Sequence, residues 1–438
     1  MAGGTWTSQN KVRPGVYVNT VSEPKALGAV GERGVVALAL SLPWGPEKQI
    51  VTVEAGADTM DVLGFDINDP ALLLVRESLK RAKTLLLYRL NSGDKATANA
   101  GDLTATAKYS GTRGNAISVV VQANIDDPDK FDVKTLVSGV VVDSQTVTAI
   151  SELAANGWVT WSGNGDLTAT AGVNFTGGTD GAVTNADHTA FLTALELLDF
   201  NTVGLTVDDT TLKPLYTAFV RRLREDEGKK VQAVVPNYQA ADYEGVISVK
   251  NGVVLSDGTT LTAGQAVAWV AGATAGATVS QALTYTAYDD AVDVSPRYTN
   301  SQIEAALLSG EFVFTPSNGR AIVEQDINTL HSFTPEKGKQ FRKNRVLRVL
   351  DGIANDLKTT FENFYLGKVD NNADGRNLLK SEIIAYMNTL QAINAIQNFD
   401  AQTDVTLVAG NESDAVYAEI GAQPVDAIEK IYMKVRVK

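Results

Sequence analysis

The side chains able to do covalent or acid–base chemistry are few in this 438-residue chain. It has no cysteine, so disulfides, thiolate metal sites and cysteine nucleophiles are excluded. Its two histidines, His188 and His331, lie far apart in sequence, which argues against a multi-histidine zinc site or acid–base centre. Asp208 and Asp209 end an expected strand, but no glycine-framed serine stands near them to make a hydrolytic triad. No Gly-x-x-x-x-Gly-Lys-Ser/Thr loop is present to cradle phosphates. Asp370-Asn371-Asn372-Ala373-Asp374-Gly375 resembles half a calcium loop. Position twelve holds Ser381 in place of the required glutamate, so we read it as an interhelical turn. We expect no enzyme activity, no cofactor and no metal.

The densest cluster of charge is different in kind. Residues 335–350 carry Lys337, Lys339, Arg342, Lys343, Arg345 and Arg348 against the single acid Glu336, in a chain of net charge −13. It reads either as a solvated helix face or as a contact for an acidic partner. The overall negative charge disfavours nucleic acid as a main partner. No apolar run reaches the ~18 residues of a membrane span, and the start lacks a signal-peptide pattern. We therefore expect folding in the cytoplasm without direct membrane contact.

The elements around these residues follow from periodicity. Residues 1–22 form an N-terminal arm: Val12, Val16 and Val18 share one face of a strand, with Tyr17 on the other and Pro14 marking an edge. Residues 23–95 read as a small α/β domain with strands at 35–40 and 84–90 and a helix at 71–82. Residues 96–180 are a β-rich insert. Gly-Asp-Leu-Thr-Ala-Thr-Ala occurs there at 101–107 and 165–171, through chance or as two equivalent strands. Residues 181–330 alternate strand and helix, which implies a mostly parallel sheet covered by helices. Residues 331–423 form an α+β domain. We place a helix start at Thr334-Pro335, then two apolar helical stripes and two short strands. Residues 424–438 are a C-terminal arm in which Ile431, Met433, Val435 and Val437 face one way and Lys434, Arg436 and Lys438 the other. The fold class is α/β and α+β, multidomain. A lone strand is unstable in water and needs a sheet to join, so each arm either packs on its own body or adds to a neighbour's sheet.

Several stretches occur in the order of a known family. They are Arg13-Pro14-Gly15-Val16-Tyr17-Val18, Ser110-Gly111-Thr112-Arg113-Gly114-Asn115, Phe175-Thr176-Gly177-Gly178-Thr179-Asp180-Gly181, Tyr365-Leu366-Gly367-Lys368-Val369 and the basic C-terminal strand. On these the chain resembles the phage tail sheath family, including sheaths of PBSX-like prophages and phage-tail-like bacteriocins. The resemblance implies a structural subunit that polymerises as stacked hexameric rings around an inner tail tube and contracts to drive the tube through a cell envelope. It also implies a subtilisin-like central domain, terminal strands exchanged into neighbouring subunits, and baseplate and tail terminator partners. The subunit would be assembled in the host bacterial cytoplasm and end in a virion or phage-tail-like particle. Within it, Lys337, Lys339, Arg342 and Lys343 would touch an acidic tube. The alternative is a bacterial surface or adhesion protein.

Overall fold

An apolar run with no polar face, Val35–Leu40, needs cover on both sides, and it has it. In the computed structural model, which describes residues 2–4, 15–17 and 33–437, this run is strand β1 at the middle of a seven-stranded sheet. The other strands are β2 (Ile50–Glu54), β3 (Thr84–Arg89), β4 (Thr202–Gly204), β5 (Gln232–Pro236), β6 (Val246–Val249) and β7 (Glu311–Phe312), in the order β7-β6-β5-β4-β1-β3-β2. All neighbours are parallel except β2, which runs antiparallel to β3 at the edge.

The period of two in β1 sorts its side chains between two cores. Val36, Leu38 and Leu40 pack with helices α1 (Leu73–Leu79) and, later in the chain, the buried 263–276 helix. Ala37 and Ala39 face α2 (Asn185–Glu196) and α3 (Leu212–Glu225). The result is a three-layer sandwich. The 263–276 helix, α4, is built almost wholly of small residues because it is buried all round. A Cβ on Gly272 would stand 2.1 Å from the Ser78 carbonyl oxygen, so only glycine lets α4 and α1 approach this closely. Trp269 of α4 stacks on Tyr288 at 4.5 Å and donates its indole N–H to Asp289, which also takes two bonds from Arg81.

The expected boundary between 23–95 and 181–330 does not separate two cores. Strands β1 to β3 come from the first segment and β4 to β7 from the second, yet β1 pairs directly with β4. The insert interrupts one sheet, and pairing between distant segments leaves no local periodicity to read. Within 181–330 the sequence reads as a single strand over 246–255, and this one splits. Val246–Val249 stays in the main sheet, and Gly252–Leu255 turns into a three-stranded sheet with Thr260–Leu261 and Ala291–Ser295. Buried Asn251 makes the corner by bonding the backbones of Pro296 and Phe314.

The insert is two facing sheets over one apolar core that includes Leu103, Val119, Val133 and Val159. Its neck is closed by two of the quoted motifs. Asn115 exchanges two bonds with the Gly178 backbone, each 2.9 Å, and Asp180 accepts from the Thr112 N–H at 2.8 Å. The repeated heptapeptide is not two equivalent strands. The first copy lies largely in strand Leu103–Ala107, whereas the second is loop until Thr170 and then joins the other sheet.

In the C-terminal part, helices α5 (Asn344–Phe364) and α6 (Ala373–Ala392) pack with a hairpin of Val405–Ala409 and Val416–Ile420 around Leu357, Ile383, Met387, Leu390 and Val405. The helix does not begin at Thr334-Pro335. Thr334 instead accepts from the Lys337 N–H in a turn, Gly338 is extended, a 3-10 turn covers Lys339–Arg342, and α5 starts at Asn344. Glycine at 338 disfavours a continuous helix through this stretch. Buried ion pairs tie this part to the central sandwich: Arg224 of α3 makes two bonds to Asp351 of α5, at 2.7 and 2.8 Å.

Candidate assembly surfaces

Among the described residues no Ser–His–Asp triad is assembled. Buried His188 shares a 2.9 Å bond between its Nδ1 and the Tyr216 hydroxyl, and burial pushes its pKa down, so it is neutral near pH 7. Asp209 caps the start of α3 by accepting from the Thr211 and Leu212 N–H groups, and Asp208 is paired with Lys213. Asp208 borders a cleft of about 500 Å³ at the carboxyl end of the parallel strands, where open α/β sheets usually bind ligands. Its charged groups are already matched within the chain, Lys250 to Glu311 and Asp208 to Lys213, and neither histidine lines it. His331 bonds the Thr329 carbonyl at 2.9 Å and lies 3.2 Å from Asp242, with its own N–H bound to the same acid. The Asp370–Gly375 segment is the turn into α6, where Asn372 accepts from the Gly375 N–H as the helix cap.

The basic segment is mostly occupied internally. Lys337 reaches Glu244 at 2.5 Å. Lys343 is ion-paired with Glu429. Arg342 is buried, and its Nε and Nη2 find no acceptor among the described residues. Arg348 is fully buried beside Asp326. Of the four residues expected to meet an acidic tube, only Lys339 is exposed and without an ion partner among the described residues. Sequence counts charge but cannot show that carboxylates distant in the chain, Glu244 and Glu429, consume it.

The arms present the opposite situation. Ile431, Met433, Val435 and Val437 are 74, 85, 87 and 95% exposed, and residues 431–437 belong to no strand. Four apolar side chains in alternation on an unpaired backbone form a surface without a cover. The Val405–Ala409/Val416–Ile420 hairpin has only two strands, so both of its outer edges are unpaired among the described residues. An isolated hairpin is marginal in water. Its outer face leaves Val408 and Tyr417 exposed beside Glu419. Sequence reading found these strands but not their role, because edge availability is a property of the sheet. At the other terminus, Gly15–Tyr17 holds Val16 and Tyr17 and pairs in parallel with Ala2–Gly4. Val12 and Val18 lie outside the described residues.

Comparison with known proteins bears on these surfaces. The chain matches the phage tail sheath protein central domain over residues 181–329 and the phage tail sheath C-terminal domain over 336–438. Residues 91–180 match the phage tail sheath beta-sandwich domain, and 33–90 the N-terminal region of domain III of tail sheath protein Gp18. The crystal structure of a sheath tail protein from Desulfitobacterium hafniense is 61% identical, with a TM-score of 0.87, covering 97% of this chain and 100% of that one. Phage-like element PBSX protein XkdK of Bacillus subtilis is 41% identical over 100% of both chains. The anti-feeding prophage helical sheath in its contracted state shares the fold at 16% identity and a TM-score of 0.56, covering 98% of this chain and 100% of that one.

Proposed function

This chain belongs to the phage tail sheath family, and from that premise we propose that it is the repeating subunit of a contractile sheath whose copies are tied together by exchanged strands. The observation that carries this reading is that one chain holds both an exposed alternating C-terminal arm and a hairpin whose outer edges are unpaired among the described residues. The arm of one copy adds to the hairpin of a neighbour. Each added backbone bond contributes about 1 kcal/mol net, and each buried Val, Ile or Met side chain up to about 1.5–3 kcal/mol. The apolar face of the arm continues the inner face of the hairpin, and its Lys434 and Arg436 come to the side that carries Glu419. The N-terminal strand supplies a second link. A head-to-tail contact of this kind does not close on itself along the axis, so it builds a helical lattice, whose layers are the hexameric rings that the family implies.

The subunit surrounds an inner tube, with a baseplate at one end and a terminator at the other. Contraction is a rigid-body rotation of the three-layer domain, subtilisin-like in its architecture, while the strand links persist. The energy resides in subunit packing, with no cofactor. Lys339, exposed at the start of the 3-10 turn between the ion-paired Lys337 and Lys343, is the charge offered to an acidic tube. The particle is a phage or phage-like tail, assembled in the bacterial cytoplasm. The surface-protein alternative drew on composition alone, and family membership replaces it.

Deletion of 430–438 tests the reading. The truncated protein is expected to keep its circular dichroism and sediment as a monomer, with no striated tubes by electron microscopy. Tubes like those of the full chain would overturn it.

A further inference from the structure

The arm does not leave the body at an arbitrary point. Glu429, two residues before Ile431, is half-buried, with its side chain 10% exposed, and takes bonds from three separate parts of the chain. The Thr284 hydroxyl donates to Oε1 at 2.9 Å and the Gln325 side-chain amide to Oε2 at 2.6 Å. The Lys343 ammonium pairs with the same Oε2. Burial by itself would push this carboxyl up. The bonds from Lys343 and Gln325 outweigh burial and hold it below the ordinary glutamate range.

The contacts continue inward. The Thr284 hydroxyl that donates to Glu429 also accepts from the Asp326 N–H at 3.0 Å. Asp326 accepts from Asn344 at 2.8 Å and lies beside Arg348, both on the first turns of α5. Just upstream, Val425 N–H bonds the Ala395 carbonyl at 2.9 Å, and Pro424 bridges Ile396. Beyond Glu429 the side chains become exposed at once. Exposure already alternates just upstream, with Ile428 86% exposed, so Glu429 is the last residue before the uniformly exposed 430–437.

We propose that Glu429 is a positioning residue: a charge-assisted clamp with Lys343, Gln325 and Thr284 that fixes the exit point and heading of the C-terminal arm. This rests on the arm-exchange reading above. A pinned root limits the directions the arm samples, so less conformational entropy is lost when it adds to a sheet. The clamp also gives Lys343 a role other than partner contact. It joins the arm root to the basic segment, whose 3-10 turn Lys339–Arg342 immediately precedes Lys343.

The test uses the full chain with Glu429→Gln, Lys343→Met and the charge-exchanged double variant Lys343→Glu/Glu429→Lys. Tryptic cleavage after Lys430 is measured relative to cleavage after Lys434, which lies in the exposed arm in every variant. Loss of a charge-assisted hydrogen bond corresponds to a change of about tenfold or more. The single variants are thus expected to raise the relative cleavage after Lys430 about tenfold and the critical concentration for tube formation by a similar factor. The melting temperature of the body should stay within a few degrees. The double variant is scored by polymerisation alone, because a lysine at 429 is itself a tryptic site, and should reverse part of the rise in critical concentration. A variant that melts early is replaced by Gln325→Ala, which leaves both charges in place and carries the same expectation in smaller measure. If Glu429→Gln cleaves and polymerises like the unaltered protein while deletion of 430–438 abolishes tubes, the clamp is wrong and the arm reading stands. If that deletion leaves tubes intact, the arm reading itself has failed.

Discussion

The central sandwich and the C-terminal module solve the same problem in opposite ways. In the sandwich, β1 is covered on both faces and paired on both sides, and its residues Val36, Ala37 and Leu38 are 0% exposed. In the C-terminal module the hairpin has no strand partner at its outer edges among the described residues, and the final arm, residues 431–437, has its apolar side chains in water. The first region is finished by its own chain. The second is left unfinished among the described residues. In the arm-exchange reading proposed above, the apolar surface it withholds from its own fold is what remains for association, and the links persist while rigid bodies move.

This contrast can be broken or sharpened in order of effect. The sharpest pair is Trp269→Ala against Val435→Asp. Removing the buried indole from the Tyr288 stack should cost about 3–5 kcal/mol and lower the melting temperature steeply. Val435→Asp, on an exposed position, should leave calorimetry unchanged and abolish tubes in micrographs. Equal effects of the two on stability would erase the distinction. Next comes the seam between the regions. Burial works against the Arg224 charge, but Asp351 overcomes it and holds the guanidinium above its ordinary range. Asp351→Ala strands that charge and should cost about 3–5 kcal/mol by denaturant titration, whereas Arg224→Met with Asp351→Leu should be much closer to neutral.

A smaller effect is expected with pH. Because the Glu429 carboxyl is held below its unfolded value, its clamp contributes fully above the ordinary glutamate pKa of about 4.3. The contribution fades as pH falls through the lowered folded value. Proteolysis after Lys430 with an acid-stable protease should therefore rise only on the acid side of that range, and a rise toward alkaline pH would contradict the sign. The smallest effect belongs to Lys339→Glu. An exposed charge contact is worth about 0.2–1 kcal/mol, so the variant should fold and polymerise normally, with a modest, salt-sensitive loss of tube retention by co-sedimentation.

Much of this was legible in the sequence because it depends on local pattern. The unbroken apolar run at 35–40, the 3–4 spacing of Val346 to Phe364, and the small-residue composition of 263–275 each imply an element and a buried face from neighbouring residues alone. The lack of cysteine excludes thiol chemistry, and the separation of the two histidines argues against a multi-histidine centre. What tertiary structure decided is everything that depends on residues far apart in the chain. It joined β1 to β4 across the insert, and it ended the 246–249 strand at the Asn251 corner. It also turned a basic cluster of net +5 into two lysines ion-paired internally, Lys337 and Lys343, two buried arginines, Arg342 and Arg348, a half-buried Arg345, and Lys339, exposed with no ion partner among the described residues. Periodicity reports how a residue relates to its neighbours along the chain. Pairing partners, open edges and charge neutralisation depend on which distant groups folding brings within a few ångströms, and nothing in a local window records them.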